Sequence, residues 1–144
     1  MFTDYFAAAS DEAAAGAIDG PGGKFDTVQL KGLDPAVKLA RLEALLTGRT
    51  LDQVIEDERS AAMIAMADDG ERLVLTVTDE LFTALAEADE AQLRSVVPAW
   101  SQTEEFALEG GADVELLIED VVALSALARR ASGRGEQMYC WLCV

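Results

Sequence analysis

The sequence predicts a single α+β domain over residues 1–144, in which a small mixed or antiparallel sheet of about four strands packs with several helices. Three observations support this class. Short β-branched or aromatic segments alternate with amphipathic helical segments, and turn signals separate them. The length of 144 residues suits one hydrophobic core. The 51% hydrophobic and 26% charged content is typical of folded domains.

Four segments are predicted as strands, namely 2–6, 25–30, 72–77 and 138–144. The first alternates aromatic and polar residues, and the second follows the Gly-Pro-Gly-Gly turn at 20–23. The last is apolar on both faces, which suits a strand inside a sheet better than one at its edge. The stretch 60–69 is ambiguous, with a continued helix as the alternative considered.

Helix starts are predicted from capping residues, which are Ser10, Asp34, Thr50, Thr78, Asp89 and Asp113. The first helix is expected to end near Gly20, and the second at Gly48. The helix that follows Asp89 is expected to end at Pro98, with a loop through Trp100 and Phe106 after it. The helix from Asp113 is expected to be the longest.

Acidic side chains outnumber basic ones by 27 to 11, for a formal net charge of −16. This charge repels nucleic-acid phosphates and the anionic membrane surface, so neither is expected as a partner. It would steer a basic protein toward the chain, or it serves only to keep the domain soluble. Residues 1–15 lack the basic start of a secretory signal, and no apolar stretch approaches the ~20 residues of a membrane span. The predicted location is the cytoplasm.

The sequence contains no histidine. This removes the usual general base at neutral pH, the Ser/His and Cys/His nucleophile pairs, and the commonest metal ligand. Chemistry by carboxylates, lysine or tyrosine stays open, but 27 acids offer too many combinations to choose a pair. No catalytic residue, cofactor or metal site is therefore predicted.

Cys140 and Cys143 match the C-x-x-C pattern of redox dithiols and of half a zinc site. In a strand their side chains would face opposite ways, roughly 10 Å apart, which is too far for a disulfide. Zinc would need two further ligands, available only from a second subunit. The two are predicted to be packing thiols. The acid clusters at 56–58, 68–71 and 115–120 lack EF-hand spacing and are predicted to be solvated faces.

Two sets of side chains are candidates for binding. The polar or aromatic residues at predicted strand and loop positions that could line a ligand pocket are Tyr5, Gln29, Lys31 and Trp100. For Trp100 the alternative is a structural lid over the core beside Phe106. Glu115 and Glu119 share the polar face of the longest helix, where they could contact a basic protein.

The order of predicted elements along the chain is distinctive. It runs from a Tyr5-Phe6-Ala7 strand and a second stretch from Phe25-Asp26 to Gly32, through paired helices across 78–97, to a closing helix and strand across 123–144. This order resembles the YfbM-like family of small bacterial proteins. The resemblance implies an α+β fold and brings no established activity. The sequence departs from the family at Gln29, where the family has a histidine, and in the ending 140–144. An activity that relied on that histidine would be absent here.

These observations lead to a first hypothesis of a non-enzymatic bacterial binding protein, an immunity-like or regulatory partner of a basic protein. The alternative is a small-ligand-binding protein, or an enzyme without histidine chemistry. A homo-oligomer joined through the apolar final strand is the third hypothesis.

Overall fold

The computed structural model describes all residues 1–144 and has five strands and seven α-helices. The strands are β1 (Phe2–Ala8), β2 (Thr27–Lys31), β3 (Met63–Ala67), β4 (Arg72–Thr76) and β5 (Gln137–Cys143). The helices are α1 (Asp11–Ala15), α2 (Lys38–Thr47), α3 (Leu51–Glu56), α4 (Asp79–Glu87), α5 (Glu90–Ser101), α6 (Glu104–Leu108) and α7 (Val114–Gly133). The predicted α+β class is confirmed.

All five strands form one antiparallel sheet in the order β2-β1-β5-β4-β3. The final strand β5 lies at the centre, hydrogen-bonded to β1 on one side and to β4 on the other. Its apolar character on both faces is explained, since both faces of the central strand carry packed layers. A homo-oligomer joined edge to edge through this strand is not possible in this fold, because both of its edges are already paired.

The sheet has five strands rather than about four, because the ambiguous stretch 60–69 contains the edge strand β3 and not a continued helix. The residues of β3, Met-Ile-Ala-Met-Ala, are mostly good helix formers, so local propensity gave no strand signal. Pairing with β4 decides the outcome. The turn between the two strands uses Asp69 and Gly70 at positive φ, which suits these residue types.

The region around Trp100 also differs from the prediction. Helix α5 continues through Pro98 to Ser101, and residues 104–108 form the short helix α6 instead of a loop. Proline disfavours a helix interior, but here Trp100, in the last turn of α5, is fully buried and holds that turn in the core. The first helix α1 is shorter than predicted and ends at Ala15.

Five of the six predicted capping residues cap their helices. The prediction for Asp34 is wrong, because α2 begins at Lys38 and its N-cap position is Val37. The side chains of Ser10, Thr78, Asp89 and Asp113 accept backbone N–H groups at the starts of their helices. Thr50 and Gln53 form the predicted capping box, with the two reciprocal hydrogen bonds at 3.1 and 2.9 Å. Asp34 caps a turn that leads into α2, and Gly48 ends that helix at a φ of +77°.

The two faces of the sheet are covered unequally by helices. Helices α2, α4, α5 and α7 cover one face and enclose the main core of 26 buried hydrophobic residues. On the other face only α1 packs, over β1, β3 and β4, around a small cluster that includes Phe6 and Tyr139. The second face is therefore only partly covered by helix.

Candidate functional site

A groove lies on the second face of the sheet, beside the segment that α1 does not cover. Phe2 and Asp4 of β1, Gln29 and Lys31 of β2, and Trp141 of β5 line it together with the loop 19–22, and its volume is about 600 Å³. We refer to it as the Asp4 groove. The volume is within the range of ~300–1,000 Å³ that small-molecule sites have.

The antiparallel register brings these side chains to one place. Asp4 is directly opposite Gln29 on one neighbouring strand and opposite Trp141 on the other. Phe2 lies two residues before Asp4 and is opposite Lys31. Side chains two residues apart along a strand point to the same face, so all five emerge on the same side of the sheet.

Asp4 has the most unusual environment in the groove. Only 7% of its surface is exposed, and its carboxylate forms no hydrogen bond or ion pair with the rest of the chain. Burial raises the pKa of Asp4, and no neighbouring charge opposes that shift. The carboxylate oxygens themselves keep some exposure, since no side-chain oxygen of the chain is both fully buried and unpaired. Asp4 therefore presents a partly desolvated, unpaired carboxylate to the groove.

The loop that forms one wall is fixed in place. The indole N–H of Trp141 donates to the carbonyl of Ile18 at 2.9 Å, which ties the start of the loop to the central strand. Arg72 donates to Asp19 at 2.7 Å and also pairs with Asp68. Asp19 is therefore neutralised by Arg72, and Asp4 is the carboxylate of the groove that has no cation beside it.

Lys31 is the cation of the groove. Its ammonium nitrogen lies 5.5 Å from the centroid of the Phe2 ring, in a cation–π contact. It takes part in none of the ion pairs of the chain. The groove thus presents one unpaired carboxylate and one unpaired ammonium group on adjacent strands.

The structure brings together two of the four residues predicted to bind a ligand. Gln29 and Lys31 lie in the Asp4 groove, whereas Tyr5 and Trp100 are fully buried in the main core on the other side of the sheet. The Tyr5 hydroxyl donates to the carbonyl of Leu33, and burial raises its pKa well above the ordinary value. Tyr5 and Trp100 line no groove together with Gln29 and Lys31.

Trp100 instead packs edge-on against Phe106, with ring centroids 5.3 Å apart, and its indole N–H donates to the carbonyl of Lys38. This matches the structural alternative considered for it, although Trp100 belongs to a helix and not to a loop. Asp4 was missed as a site residue. The sequence feature that points to Asp4 is its position between Phe2 and Phe6 on the same face of a predicted strand, where a charged residue is unexpected.

The two cysteines lie on β5 as predicted, and both are free thiols. Cys140 is fully buried in the main core beside Tyr5, and burial raises its pKa. A thiol with a raised pKa holds its proton at neutral pH, and the thiolate is the reactive form. No group of three or more His, Cys, Asp or Glu side chains comes together in a way that could hold a metal ion.

Glu115 and Glu119 both lie exposed on α7, one turn apart, and neither is in an ion pair. Leu116 between them is 57% exposed, which is unusual for a leucine in a chain that buries most of its leucines. Burial and the neighbouring Glu119 raise the pKa of Asp120 on the same helix. This patch of α7 therefore combines acidic groups with one exposed apolar side chain.

Replacing Asp4 with asparagine is expected to stabilise the fold at neutral pH, by about 1 kcal/mol, because an uncompensated buried charge is removed. The folded state raises the pKa of Asp4, so it binds a proton more readily than the unfolded chain. Wild-type stability therefore falls as the pH rises from the pKa of Asp4 in the unfolded chain to its raised pKa in the folded protein. The advantage of Asp4→Asn should vanish below about pH 4, where the carboxyl group is protonated in both states.

Urea unfolding of wild type and Asp4→Asn at several pH values measures this difference. Asp52→Asn is the matched control, since Asp52 is exposed on α3. A variant that is less stable than the wild type at neutral pH would show that the Asp4 carboxylate has a stabilising partner.

No helix of the chain is both long and apolar enough to cross a membrane. No protein-family model, curated protein or solved structure matches the chain. The resemblance to the YfbM-like family stays a prediction from the short stretches given above.

Proposed function

We propose that the chain is a binding protein that holds the ammonium group of a small organic molecule in the Asp4 groove. The observation that carries this proposal is Asp4, a residue with only 7% of its surface exposed, whose carboxylate lines the groove and has no partner within the chain. An ammonium ligand would supply the missing positive charge and the hydrogen-bond donors. Ligand binding would then offset the free-energy cost of placing the unpaired Asp4 carboxylate in the folded protein.

The neighbours of Asp4 favour an organic ammonium group over a metal ion. Trp141 is directly opposite Asp4, and an indole face attracts a cation by about 0.5–2 kcal/mol. Gln29 on the other side offers an amide oxygen as a further acceptor. Calcium requires six to eight oxygen ligands, and the groove has a single carboxylate that is not already paired.

A binding role is also what the absence of histidine favours. The groove holds no pair of interacting carboxylates and no nucleophile next to a base, which are the usual starting points for acid–base or covalent catalysis. We infer a binding protein of the bacterial cytoplasm, a reducing compartment in which the two free thiols are stable.

The proposal can be tested by fluorine NMR on protein labelled with 5-fluorotryptophan, which gives one signal from Trp100 and one from Trp141. Isoamylamine, phenethylamine, putrescine and choline, together with the twenty α-amino acids, serve as ammonium probes. We expect at least one probe to shift the Trp141 signal saturably while the Trp100 signal stays in place, because Trp100 lies on the other side of the sheet.

Asp4→Asn should weaken that binding by about tenfold or more, as expected for the loss of a charge-assisted hydrogen bond. Asp52→Asn serves again as the control and should bind as the wild type does. The proposal fails if no ammonium probe moves the Trp141 signal, or if Asp4→Asn binds as tightly as the wild type.

A second candidate function is the binding of a basic protein to α7, and exposed Leu116 between Glu115 and Glu119 favours it. Protein interfaces combine an apolar anchor with a charged rim, and the rim charges accelerate association. Eight of the eleven basic side chains are held in ion pairs within the chain. The surface charge that a partner meets is therefore strongly negative.

The double variant Glu115→Lys/Glu119→Lys is expected to lose a basic partner recovered from lysate at low salt. The loss should be largest at low ionic strength, where charges are least screened. Reversing Asp52 and Glu56 on α3 to lysine changes the net charge equally and is the control. Retention of the partner by the α7 variant would exclude this surface.

A further inference from the structure

We propose that the ligand of the Asp4 groove is a zwitterion of the α-amino-acid class, whose ammonium group contacts Asp4 and whose carboxylate contacts Lys31. This inference rests on the proposed function, because it uses the same groove. It adds the second charge of the ligand and the residue that recognises it.

Asp4 and Lys31 lie on neighbouring strands and line the same groove. Lys31 lies two residues beyond Gln29, the residue directly opposite Asp4, so Asp4 and Lys31 are diagonal neighbours on adjacent antiparallel strands. Such diagonal positions are about 7–8 Å apart, and both side chains emerge on the same face. Both residues line the same groove, so one small molecule can contact both charged groups.

An α-amino acid carries its ammonium and carboxylate groups on a single carbon atom, so its two charges lie only a few ångströms apart. The flexible four-carbon stem of Lys31 allows its ammonium group to meet the ligand carboxylate, while the ligand ammonium group contacts Asp4. The side chain of the ligand would then extend toward Pro21 and Trp141, which line the remainder of the groove.

Lys31 has no ionic partner within the chain. Of the eleven basic residues, eight form ion pairs, and Arg129 donates to the backbone carbonyls of Ala86 and Ala88. Lys24 and Lys31 are the two that remain, and only Lys31 lines the groove. In a chain with 27 acidic residues, a lysine held over the Phe2 ring instead of beside a carboxylate is available for an anion.

The two opposite charges of the groove also favour a zwitterion over a ligand with one charge. A plain amine would satisfy Asp4 but would bring a second positive charge close to the Lys31 ammonium group, which is unfavourable. A plain carboxylic acid would pair with Lys31 but would bring a second negative charge close to the Asp4 carboxylate. A zwitterion satisfies both groups together. Asp4 and Lys31 should therefore bind an amino acid more tightly than an amine or a carboxylic acid that carries only one of its two charges.

The test compares each α-amino acid that shifts the Trp141 signal with its decarboxylated amine, using the fluorotryptophan-labelled protein. In the wild type we expect the amino acid to bind at least about tenfold more tightly than the amine. Lys31→Met keeps an unbranched side chain over Phe2 and removes the charge. It should weaken amino-acid binding about tenfold while amine binding stays within about twofold. Lys24→Met is the matched control and should change neither.

Each outcome separates the two proposals. If amines bind as tightly as amino acids, or if Lys31→Met weakens both equally, the zwitterion inference is wrong and ammonium binding at Asp4 stands. If neither class moves the Trp141 signal of the wild type, the proposed function is wrong and the inference with it. A selective loss of amino-acid binding in Lys31→Met, with amine binding retained, supports both.

Discussion

Trp100→Ala is expected to lower the free energy of unfolding by about 4 kcal/mol, because it removes the largest fully buried side chain and leaves a cavity. The cost includes the edge-on contact with Phe106 and the hydrogen bond to the carbonyl of Lys38, measured at 2.8 Å. A change of this size corresponds to a fall of about 15 °C in Tm for a domain of this length. Thermal unfolding followed by circular dichroism measures it.

Trp100→Phe distinguishes packing from ligand binding at this position. It keeps an aromatic ring but loses the indole N–H, so we expect a smaller loss of about 2 kcal/mol. Because Trp100 lies in the main core, this variant should bind ammonium probes as the wild type does. A folded Trp100→Phe variant that no longer binds them would place Trp100 at the ligand site after all.

Glu43→Ala is the second substitution with a large expected effect, a loss of about 3 kcal/mol. Glu43 is 1% exposed and connects three helices. It accepts hydrogen bonds from Arg49 at 2.6 Å and from the hydroxyl of Thr78, the residue that caps α4. Removing Glu43 leaves Thr78 without its acceptor, and the carboxylates that remain beside Arg49 are the more exposed Asp57 and Glu80.

Glu43→Gln is the matched variant. Burial raises the pKa of Glu43 although Thr78 and Arg49 oppose the shift, so the ionised form is costly in this environment. The amide keeps an acceptor for Thr78 and removes that cost, and we expect a loss of only about 1 kcal/mol. Urea unfolding of both variants at neutral pH compares them, and equal losses would show that the charge itself carries the stabilisation.

Most of the elements could be predicted from the sequence where local chemistry decides them. The capping residue Thr78, the capping box of Thr50 with Gln53, and the αL glycine at Gly48 act over a few residues, so their patterns are read directly. Strand β3 could not be predicted this way, because its methionine and alanine residues favour a helix until β4 pairs with them.

The candidate site illustrates the same division. The alternation along residues 2–6 determines by itself that Phe2, Asp4 and Phe6 share one face of a strand. Gln29 falls in the predicted strand 25–30, and Lys31 follows directly after it. Local sequence patterns do not distinguish Gln29 and Lys31, which line the groove, from Trp100, which the sequence predicts in a loop. Burial in the main core removed Trp100 and Tyr5 from the site.

The sequence alone thus determined the acidic charge, the absence of histidine, the helix ends and the faces of the strands, since each depends on composition or on neighbours along the chain. Only the tertiary structure decided that β5 lies between β1 and β4, which places Trp141 opposite Asp4. The physical reason is that strand order and register depend on contacts between residues far apart in the chain. The placement of the largely buried Asp4 in the groove, without a partner in the chain, is a product of that packing.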